Sequence, residues 1–331
     1  MSLLGRDLAM DLGTASTRIY VKRKGIVLDE PSAVIRDTLT GKVIGYGAEA
    51  ADGADADADA ETCWPVSGGL PVDNELARRM IRHFLRKVHR HPFSRPRIVM
   101  ALPEDSTPIA QLALRDMAFE AEARGILLIP HALAAALGAG LPVMDCVGSM
   151  VIDIGCDTAR VAVVSSGAVV AAGAVPYGGR TMNRSIVRWV ECEYGLLLDE
   201  PEVEAAKRHA SSWKPLDRAV PVRGHDPHAG FERTAALPVQ GIYEATRQPV
   251  ESIVRAAVET VERCPAELAA DLVERGAVLV GGGSLLRGLG RRLRSALSMP
   301  VRRAERPLDS VALGLGRCAE DLGLISRLRR R

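Results

Sequence analysis

The sequence predicts an α/β protein made of two duplicated α/β domains, with smaller peripheral subdomains around a central cleft. The chain has 331 residues, which is too long for one small core, so two domains are the natural expectation. Two similar strand–turn–strand segments, with Asp11 and Asp153 before their turns, lie about 140 residues apart. A third glycine cluster, residues 281–283, follows another apolar strand. This repetition indicates one α/β unit used twice.

The two strand–turn–strand segments share one pattern. Each has apolar residues, an aspartate, an apolar residue, a glycine, small polar residues and then a second β-rich run. A tight hairpin turn of this kind presents backbone N–H groups and a hydroxyl to an anion. Facing each other across a cleft, the turns after Asp11 and Asp153 would hold a nucleotide's phosphates, while the two aspartates hold a hydrated metal.

Strands and helices alternate along the first half of the chain. Asp73 is a predicted N-cap, because the helix after it has an apolar residue at every fourth position. Residues 51–60 are acidic and alanine-rich and have no hydrophobic face, so we expect an exposed loop or a disordered segment there. The other predicted elements are strands within 6–35, strands at 42–46, 97–102 and 125–129, and helices from 73 to about 90, at 106–122 and at 133–139.

The second half repeats the order of hairpin, strand and helix. Its predicted elements are the hairpin around the second turn, strands at 167–175 and 277–280, helices at 180–194 and 238–264, and a polar peripheral segment at 211–234. We therefore predict a first domain at 1–145 and a second at 146–331. Their small subdomains are expected at about 27–75 and about 182–247.

Composition narrows the class of protein. A hydrophobic content of 47% with 25% charged residues fits a globular protein, and a net charge of +2 gives no reason to expect nucleic-acid binding. The six cysteines form no C-x-x-C pair, and no secretory signal precedes them, so we expect a reduced, cytoplasmic protein. No run approaches the ~20 apolar residues that span a bilayer.

The three glycine-containing segments, taken in order, resemble the actin-like ATPase superfamily, which has a ribonuclease H-like fold. They are most similar to the bacterial actins, the MreB-type rod-shape-determining proteins. The resemblance covers nearly the whole chain and includes further segments at 25–32, 135–142, 264–269 and 281–289. It implies that ATP and Mg²⁺ bind between the two halves.

The resemblance also implies which residues form the site. Asp11 and Asp153 would hold Mg²⁺ through water. Glu204 and Lys207 match a pair that brackets the purine and ribose, and Ser284 would begin the helix after the glycine loop. The complete set of implied nucleotide-binding residues is Gly13, Thr14, Ala15, Ser16, Gly155, Cys156, Asp157, Thr158, Glu204, Lys207, Gly281, Gly282, Gly283 and Ser284.

The second turn departs from the family pattern Asp-x-Gly-Gly-Gly-Thr. Cys156 and Asp157 replace two glycines, which limits positive φ and fills space near the β- and γ-phosphates. The Asp157 carboxylate would repel phosphate unless a metal or a nearby cation screens it. Arg180 replaces an aspartate of the family, and it could meet either phosphate or Asp157.

The position of the family's water-activating glutamate is also altered. The family's carboxylate lies in a Glu-Glu-Pro-x-Ala-Ala-Ala segment, in which Pro130 stands in the first Glu position and His131 in the second. A proline side chain is neither an acid nor a base. The adjacent His131 could in principle order a water, although a lone histidine is more often structural or solvated. The catalytic residue is therefore unknown from the sequence, and we expect at most weak hydrolysis.

The resemblance favours an actin-like cytoskeletal protein that self-associates into filaments in cell morphogenesis and cell-wall organisation. Its implied partners are another bacterial actin or cell-wall synthesis proteins, at the inner face of the cell membrane. Direct membrane contact is weakly supported, because the family's hydrophobic membrane loop would fall in the acidic residues 51–60. The alternatives are a degenerate, non-hydrolysing paralogue that acts as a structural partner of an active bacterial actin and, less favoured, a kinase on the same scaffold.

Overall fold

The computed structural model describes residues 7–52, 59–89, 95–212 and 218–329. Its strands are β1 (Leu8–Leu12), β2 (Ser16–Val21), β3 (Gly25–Pro31), β4 (Val34–Asp37), β5 (Val43–Tyr46), β6 (Ala60–Cys63), β7 (Val66–Ser67), β8 (Leu70–Pro71), β9 (Arg97–Leu102), β10 (Gly125–Pro130), β11 (Ser149–Ile154), β12 (Ala159–Ser165), β13 (Ala168–Val175), β14 (Ala219–Asp226), β15 (Phe231–Pro238), β16 (Ala277–Val280) and β17 (Val301–Arg303).

The helices alternate with these strands. They are α1 (Ala48–Asp52), α2 (Asn74–Val88), α3 (Pro108–Glu120), α4 (His131–Gly138), α5 (Gly179–Tyr194), α6 (Glu200–Ser212), α7 (Val239–Ala245), α8 (Arg247–Glu262), α9 (Ala266–Arg275), α10 (Leu289–Leu297), α11 (Ser310–Glu320) and α12 (Leu322–Arg329). A short 3₁₀ helix, Gly282–Leu285, follows β16.

Two five-stranded sheets repeat one topology. The first has the order β10-β9-β1-β2-β3 and the second the order β13-β12-β11-β16-β17. In each sheet three consecutive strands form an antiparallel meander, and two further strands add in parallel beside the first strand of that meander. The predicted duplication is therefore visible in the strand order. The domain boundaries at 145 and 146 stay predictions.

Smaller elements lie outside the two sheets. The segment predicted as the first small subdomain holds the sheet β5-β4-β6 and the hairpin β7–β8, and the second holds the hairpin β14–β15. The Ile186 and Val222 side chains are buried in a core cluster of this second segment, separate from that of the large sheet. The limits at about 27–75 and 182–247 stay predictions.

The two turns have matching geometry. Leu12 lies opposite Thr17 across the first turn, and Ile154 lies opposite Ala159 across the second. In each turn the glycine N–H donates to the carbonyl oxygen three residues later, at 3.1 Å in the first and 2.9 Å in the second. The pattern repeated in the sequence is thus a repeated hydrogen-bonded turn.

Helices α4 and α11 pack against each other between the two sheets. Their core cluster takes side chains from both sheets, including Ala9 and Val151. A Cβ on Gly138 of α4 would lie 1.6 Å from the Ser310 carbonyl oxygen, which is far inside van der Waals contact. Glycine therefore permits a close crossing of the two helices, and this crossing joins the halves of the molecule.

Most predicted elements are confirmed. The Asp73 carboxylate accepts from the Leu76 N–H at 2.9 Å and caps α2, as its sequence position indicated. The predicted strand at 97–102 has those bounds. Helix α3 is shorter than 106–122, because Thr107 caps it and Pro108 occupies its first turn.

Several boundaries were wrong. Residues 51 and 52 belong to α1 rather than to a loop, and the remainder of the predicted loop up to 58 lies outside the described residues. Helix α4 begins at His131, two residues early, because Pro130 provides its extended N-cap.

The predicted helix 238–264 divides at Thr246 into α7 and α8. Ser284 lies in the 3₁₀ helix, and α10 begins only after Gly288, whose φ of +82° interrupts the path.

The helix crossing predicts that Gly314→Ala destabilises the fold. A Cβ at Gly314 of α11 would lie 1.8 Å from the Ala134 carbonyl oxygen, so the helices must separate. We expect a loss of about 2 kcal/mol in the free energy of unfolding, measured by urea denaturation. Gly290→Ala in α10 is the matched control, because its Cβ makes only ordinary contact with Leu279 at 3.6 Å. The control should keep or slightly raise stability; equal losses for both variants would contradict the packing argument.

Candidate functional site

The first turn is closed by its own backbone and by the hairpin β7–β8. A Cβ at Gly13 would lie 2.7 Å from the Ser16 carbonyl oxygen, so this tight turn needs glycine. The buried Thr14 hydroxyl accepts from the Gly68 N–H of the hairpin at 2.9 Å. Ala15, by contrast, is exposed at the tip of the turn. The first turn thus keeps an open tip while its hydroxyl is already engaged.

Asp11 lies two residues before Gly13 of the first turn and is half-buried. Burial raises its pKa to about 6, although the nearby His131 and Arg18 oppose that rise. The Asp153 carboxylate contributes a smaller rise by Coulombic repulsion. The two predicted metal-associated aspartates are therefore close enough to interact. A carboxyl group that is costly to ionise is a group that a cation would stabilise.

The second turn contains an ion pair. The Asp157 carboxylate accepts from the Ser67 hydroxyl at 2.7 Å, and its other oxygen lies 2.8 Å from an Arg180 guanidinium nitrogen. Of the two positions left open for Arg180, the structure therefore shows the pairing with Asp157. Burial raises the pKa of the adjacent Cys156 thiol. Where the family pattern has two glycines, this chain therefore has a half-buried thiol and a carboxylate that Ser67 and Arg180 bind.

His131 is paired with Asp153. Its Nε2 lies 2.5 Å from an Asp153 carboxylate oxygen, and both side chains are 12% exposed. Burial alone would lower the pKa of His131, but the hydrogen bond and charge of Asp153 outweigh it and raise that pKa. Burial alone would likewise raise the pKa of Asp153, and the His131 bond and charge lower it. The His131 Nε2 is therefore engaged by Asp153 and is not the nitrogen that would order a water.

Pro130 is the residue immediately before α4. It has a φ of −49° and a ψ of 132°, and it makes no side-chain capping bond. The position where the resemblance implies the first glutamate is therefore a proline, and its side chain has no group that could activate water. The catalytic residue stays unknown.

Glu204 and Lys207 lie together on α6. The Lys207 ammonium is 2.6 Å from a Glu204 oxygen and donates to the Gly179 carbonyl at 3.3 Å. Burial would raise the pKa of Glu204, but Lys207 and the Asn183 amide outweigh it and hold that pKa below its ordinary value. The pair therefore borders the second turn, because Gly179 donates its N–H to Gly155 at 3.0 Å.

The glycine loop after β16 packs against the end of β11. Gly281 has a φ of +75°, and a Cβ there would lie 2.3 Å from an Asp153 carboxylate oxygen. A Cβ at Gly283 would lie 2.2 Å from the Ile154 side chain, whereas Gly282 is more open. The Ser284 hydroxyl donates to the Gly281 carbonyl at 2.6 Å. These glycines thus have a packing role in addition to the predicted approach to a nucleoside.

Sequence reasoning missed two residues that connect the turns. One is Ser67, whose hydroxyl donates to Asp157. The other is Arg160, which donates to the Thr158 hydroxyl at 2.5 Å and to the Gly68 carbonyl at 2.8 Å. An arginine inside the apolar run of β12 was the one available signal, since a charged residue in a buried strand needs a partner. The hairpin around Ser67 carried no such signal.

The residues present fit a hydrated Mg²⁺ in part. Mg²⁺ commonly binds one or two carboxylates, keeps several waters and takes its remaining ligands from phosphate. The buried Asp11 carboxyl suits such an ion, but one oxygen of Asp153 is held by His131. Among the described residues, no group of three or more His, Cys, Asp and Glu side chains is arranged to hold a metal ion. A metal here would therefore depend on a bound phosphate.

A model of the family described as MreB/Mbl protein matches residues 5–327. The chain belongs to the MreB/Mbl family. It is 40% identical over 328 residues to the cell shape-determining protein MreB of Escherichia coli (strain K12), covering 96% of this chain and 94% of that one. It is 36% identical over 318 residues to the cell shape-determining protein Mbl of Bacillus subtilis (strain 168), covering 95% and 96%.

Solved structures agree with this MreB/Mbl membership. MreB 5 of Spiroplasma citri bound to AMPPNP superimposes with a TM-score of 0.90 at 26% identity, covering 96% of this chain and 97% of that one. A MamK chain from a double helical filament has a TM-score of 0.81 at 17% identity, which supports the fold alone. The predicted actin-like fold is confirmed. No helix in the described part of this MreB/Mbl chain is long and apolar enough to cross a membrane.

The His131–Asp153 pair predicts a pH-dependent contribution to stability. Because the folded-state pKa of His131 is raised, its contribution is complete below about pH 6.5 and is lost as the pH rises through the folded value. Because that of Asp153 is lowered, its contribution is present above about pH 3.8 and is lost in stronger acid. His131→Gln should therefore cost roughly 3 kcal/mol at pH 6 and less at pH 9.

Urea unfolding of the wild type and of His131→Gln at pH 6 and pH 9 measures this difference. His228→Gln is the control, because His228 is exposed in the β14–β15 turn. A His131→Gln cost that is the same at both pH values would show that the pair is not charged in the folded protein.

Proposed function

We propose that this protein is an actin-like cytoskeletal protein of the cell-shape-determining type, which assembles into filaments in response to a nucleotide bound between its two halves. Its membership of the MreB/Mbl family supports the role, since its relatives in Escherichia coli and Bacillus subtilis are cell shape-determining proteins. The observation that carries the proposal is the pair of matched turns, one in each sheet, joined by the hairpin β7–β8.

The nucleotide would bind through both turns and the loop after β16. MreB 5 of Spiroplasma citri crystallised with AMPPNP, which supports a nucleotide at the corresponding place in this chain. The backbone of residues 13–16 and 155–158 would receive the phosphates, and residues 281–284 with Glu204 and Lys207 would receive the nucleoside. Asp11 and Asp153 would hold Mg²⁺ through water. The ion would supply positive charge that neutralises the phosphates.

Hydrolysis is expected to be weak. Pro130 offers no acid or base, and the nearest histidine is held by Asp153. Assembly would then depend on which nucleotide is bound and on its exchange, more than on turnover. A nucleotide shifts an assembly equilibrium only if it binds the two conformations with different affinity.

A second candidate function is favoured by the same residues. The chain would act as a structural partner of another bacterial actin or of cell-wall synthesis proteins, with no turnover of its own. Pro130 and the Asp157–Arg180 pair favour it, since both depart from a catalytic site. In either role we propose a cytoplasmic protein at the inner face of the cell membrane.

The test of the first function is assembly of the full chain. Sedimentation and negative-stain electron microscopy, with Mg²⁺ and with ATP, ADP or no nucleotide, should show filaments whose amount depends on the nucleotide. Ala15→Asp places a negative charge at the exposed tip of the first turn and should abolish this dependence. Ala229→Asp, at the exposed β14–β15 turn, is the control and should keep it.

The outcomes separate the two candidates. Filaments that respond to nucleotide in the wild type and the control, but not in Ala15→Asp, support the first. Assembly only after addition of a second bacterial actin would support the second. A wild type that neither binds nucleotide nor assembles would refute the nucleotide-dependent function.

Restoring the missing carboxylate should raise ATP turnover. The expected gain for Pro130→Glu combined with Cys156→Gly is roughly tenfold or more, because a positioned general base contributes strongly to hydrolysis. Phosphate release measured under saturating ATP gives the rate. Pro265→Glu with Cys156→Gly is the matched control, because Pro265 is also an N-cap, with φ and ψ of −53° and 138°, on the exposed helix α9. Equal rates for the two double variants would contradict our account of the lost activity.

A further inference from the structure

Asp157 closes one end of the space between the turns. Its carboxylate is bound by Ser67 at 2.7 Å and by Arg180 at 2.8 Å, and its side chain is 14% exposed. Ser67 belongs to the first half of the chain, 90 positions earlier. The carboxylate therefore connects the second turn to an element of the opposite half.

The hairpin β7–β8 lies at the same end of the space between the turns and is bonded to both sides of it. Its Gly68 N–H donates to Thr14 of the first turn at 2.9 Å. On the other side, Arg160 donates to the Gly68 carbonyl at 2.8 Å and to Thr158 of the second turn at 2.5 Å. Both turns and the hairpin thus converge where Asp157 lies.

The opposite end of the second turn faces the proposed nucleoside side. A Cβ at Gly179 would lie 3.3 Å from the Lys207 ammonium and 4.0 Å from the Cys156 Cα. The Lys207 ammonium and the Cys156 backbone thus both lie next to Gly179, whereas the Asp157 carboxylate is bound by Ser67 of the hairpin. With the nucleoside on the Glu204–Lys207 side, a phosphate chain that enters between the turns would meet the Asp157 carboxylate at its terminal end.

We propose that Asp157 is a specificity-determining residue, a built-in anion in place of a terminal phosphate, which makes the cleft select a nucleoside diphosphate over a triphosphate. The inference rests on the proposed function, because it concerns the nucleotide of that same site. A terminal phosphate would have to displace the carboxylate from Ser67 and Arg180. A diphosphate leaves both contacts in place.

Both charge and geometry disfavour a terminal phosphate at Asp157. Arg180 is the cation bound to Asp157, so an incoming phosphate at the same position would have to share its charge with that carboxylate. The carboxylate and the phosphate have the same sign, and they would meet in a largely buried space where repulsion is weakly screened. Because charged hydrogen bonds are the strong ones, we expect discrimination of roughly tenfold or more.

The test is calorimetric titration of the full chain with ADP and with AMPPNP, both at a fixed, saturating Mg²⁺ concentration. The wild type should bind ADP roughly tenfold or more tightly than AMPPNP. Asp157→Asn keeps the shape of the side chain and removes its charge, so the ratio of the two affinities should fall towards one, mainly through tighter AMPPNP binding. Asp226→Asn is the control, because Asp226 is also paired with an arginine, Arg233, at 3.2 Å in the distant β14–β15 hairpin.

The titrations distinguish a failure of the inference from a failure of the proposed function. Equal affinities in the wild type, or a preference for ADP that Asp157→Asn leaves unchanged, would overturn the inference and leave the proposed nucleotide site standing. No binding of either nucleotide by any variant would instead overturn the proposed function, and the inference with it. If Asp157→Asn does not fold, Asp157→Gly removes the carboxylate altogether, and a ratio it leaves at the wild-type value overturns the inference.

Discussion

A buried charge must find a partner, and this constraint governs the cleft of the protein. Four carboxylates that the described residues place along it each lie near a cation of the same chain. The neighbouring pairs are Asp11 with Arg18 and His131, Asp153 with His131, Asp157 with Arg180, and Glu204 with Lys207. Leaving any of these charges buried and unpaired would be costly. Asp11 is the least compensated, which is why burial raises its pKa to about 6.

The joining of the two sheets depends mainly on packing and less on these charges. The two sheets are joined by the crossing of α4 and α11, where Gly138 and Gly314 allow backbone to approach backbone. The core around them is built from Ala, Val and Leu side chains of both halves. Fold and site therefore rest on different interactions. Replacement of glycine by Cys156 and Asp157 alters the chemistry of the cleft while the packing that holds the halves together is retained.

The sequence was most informative where a structure is determined locally. The two turns were predictable because a glycine between an aspartate and small polar residues forms the same hydrogen-bonded turn twice. The Asp73 cap was predictable for the same reason. The ion pair of His131 with Asp153 and the bond from Ser67 to Asp157 were not, because their partners lie 22 and 90 positions apart. Only the fold brings such residues together. The start of α4 was predicted two residues too late. The sequence comparison treats Pro130 as a missing carboxylate, whereas in the structure it is the N-cap of the helix.

Nucleotide binding in such a cleft would be an exchange of partners. An entering phosphate would gain backbone N–H groups and lose water, but it would also compete with contacts that the chain already makes. The affinity is therefore the difference between two sets of charged contacts, and it responds to each residue that takes part. The hairpin β7–β8 contacts Thr14 on one side and Asp157 and Arg160 on the other. Any ligand that changes the partner of Asp157 thereby changes a contact between the two halves, so selectivity and closure are linked through the same carboxylate.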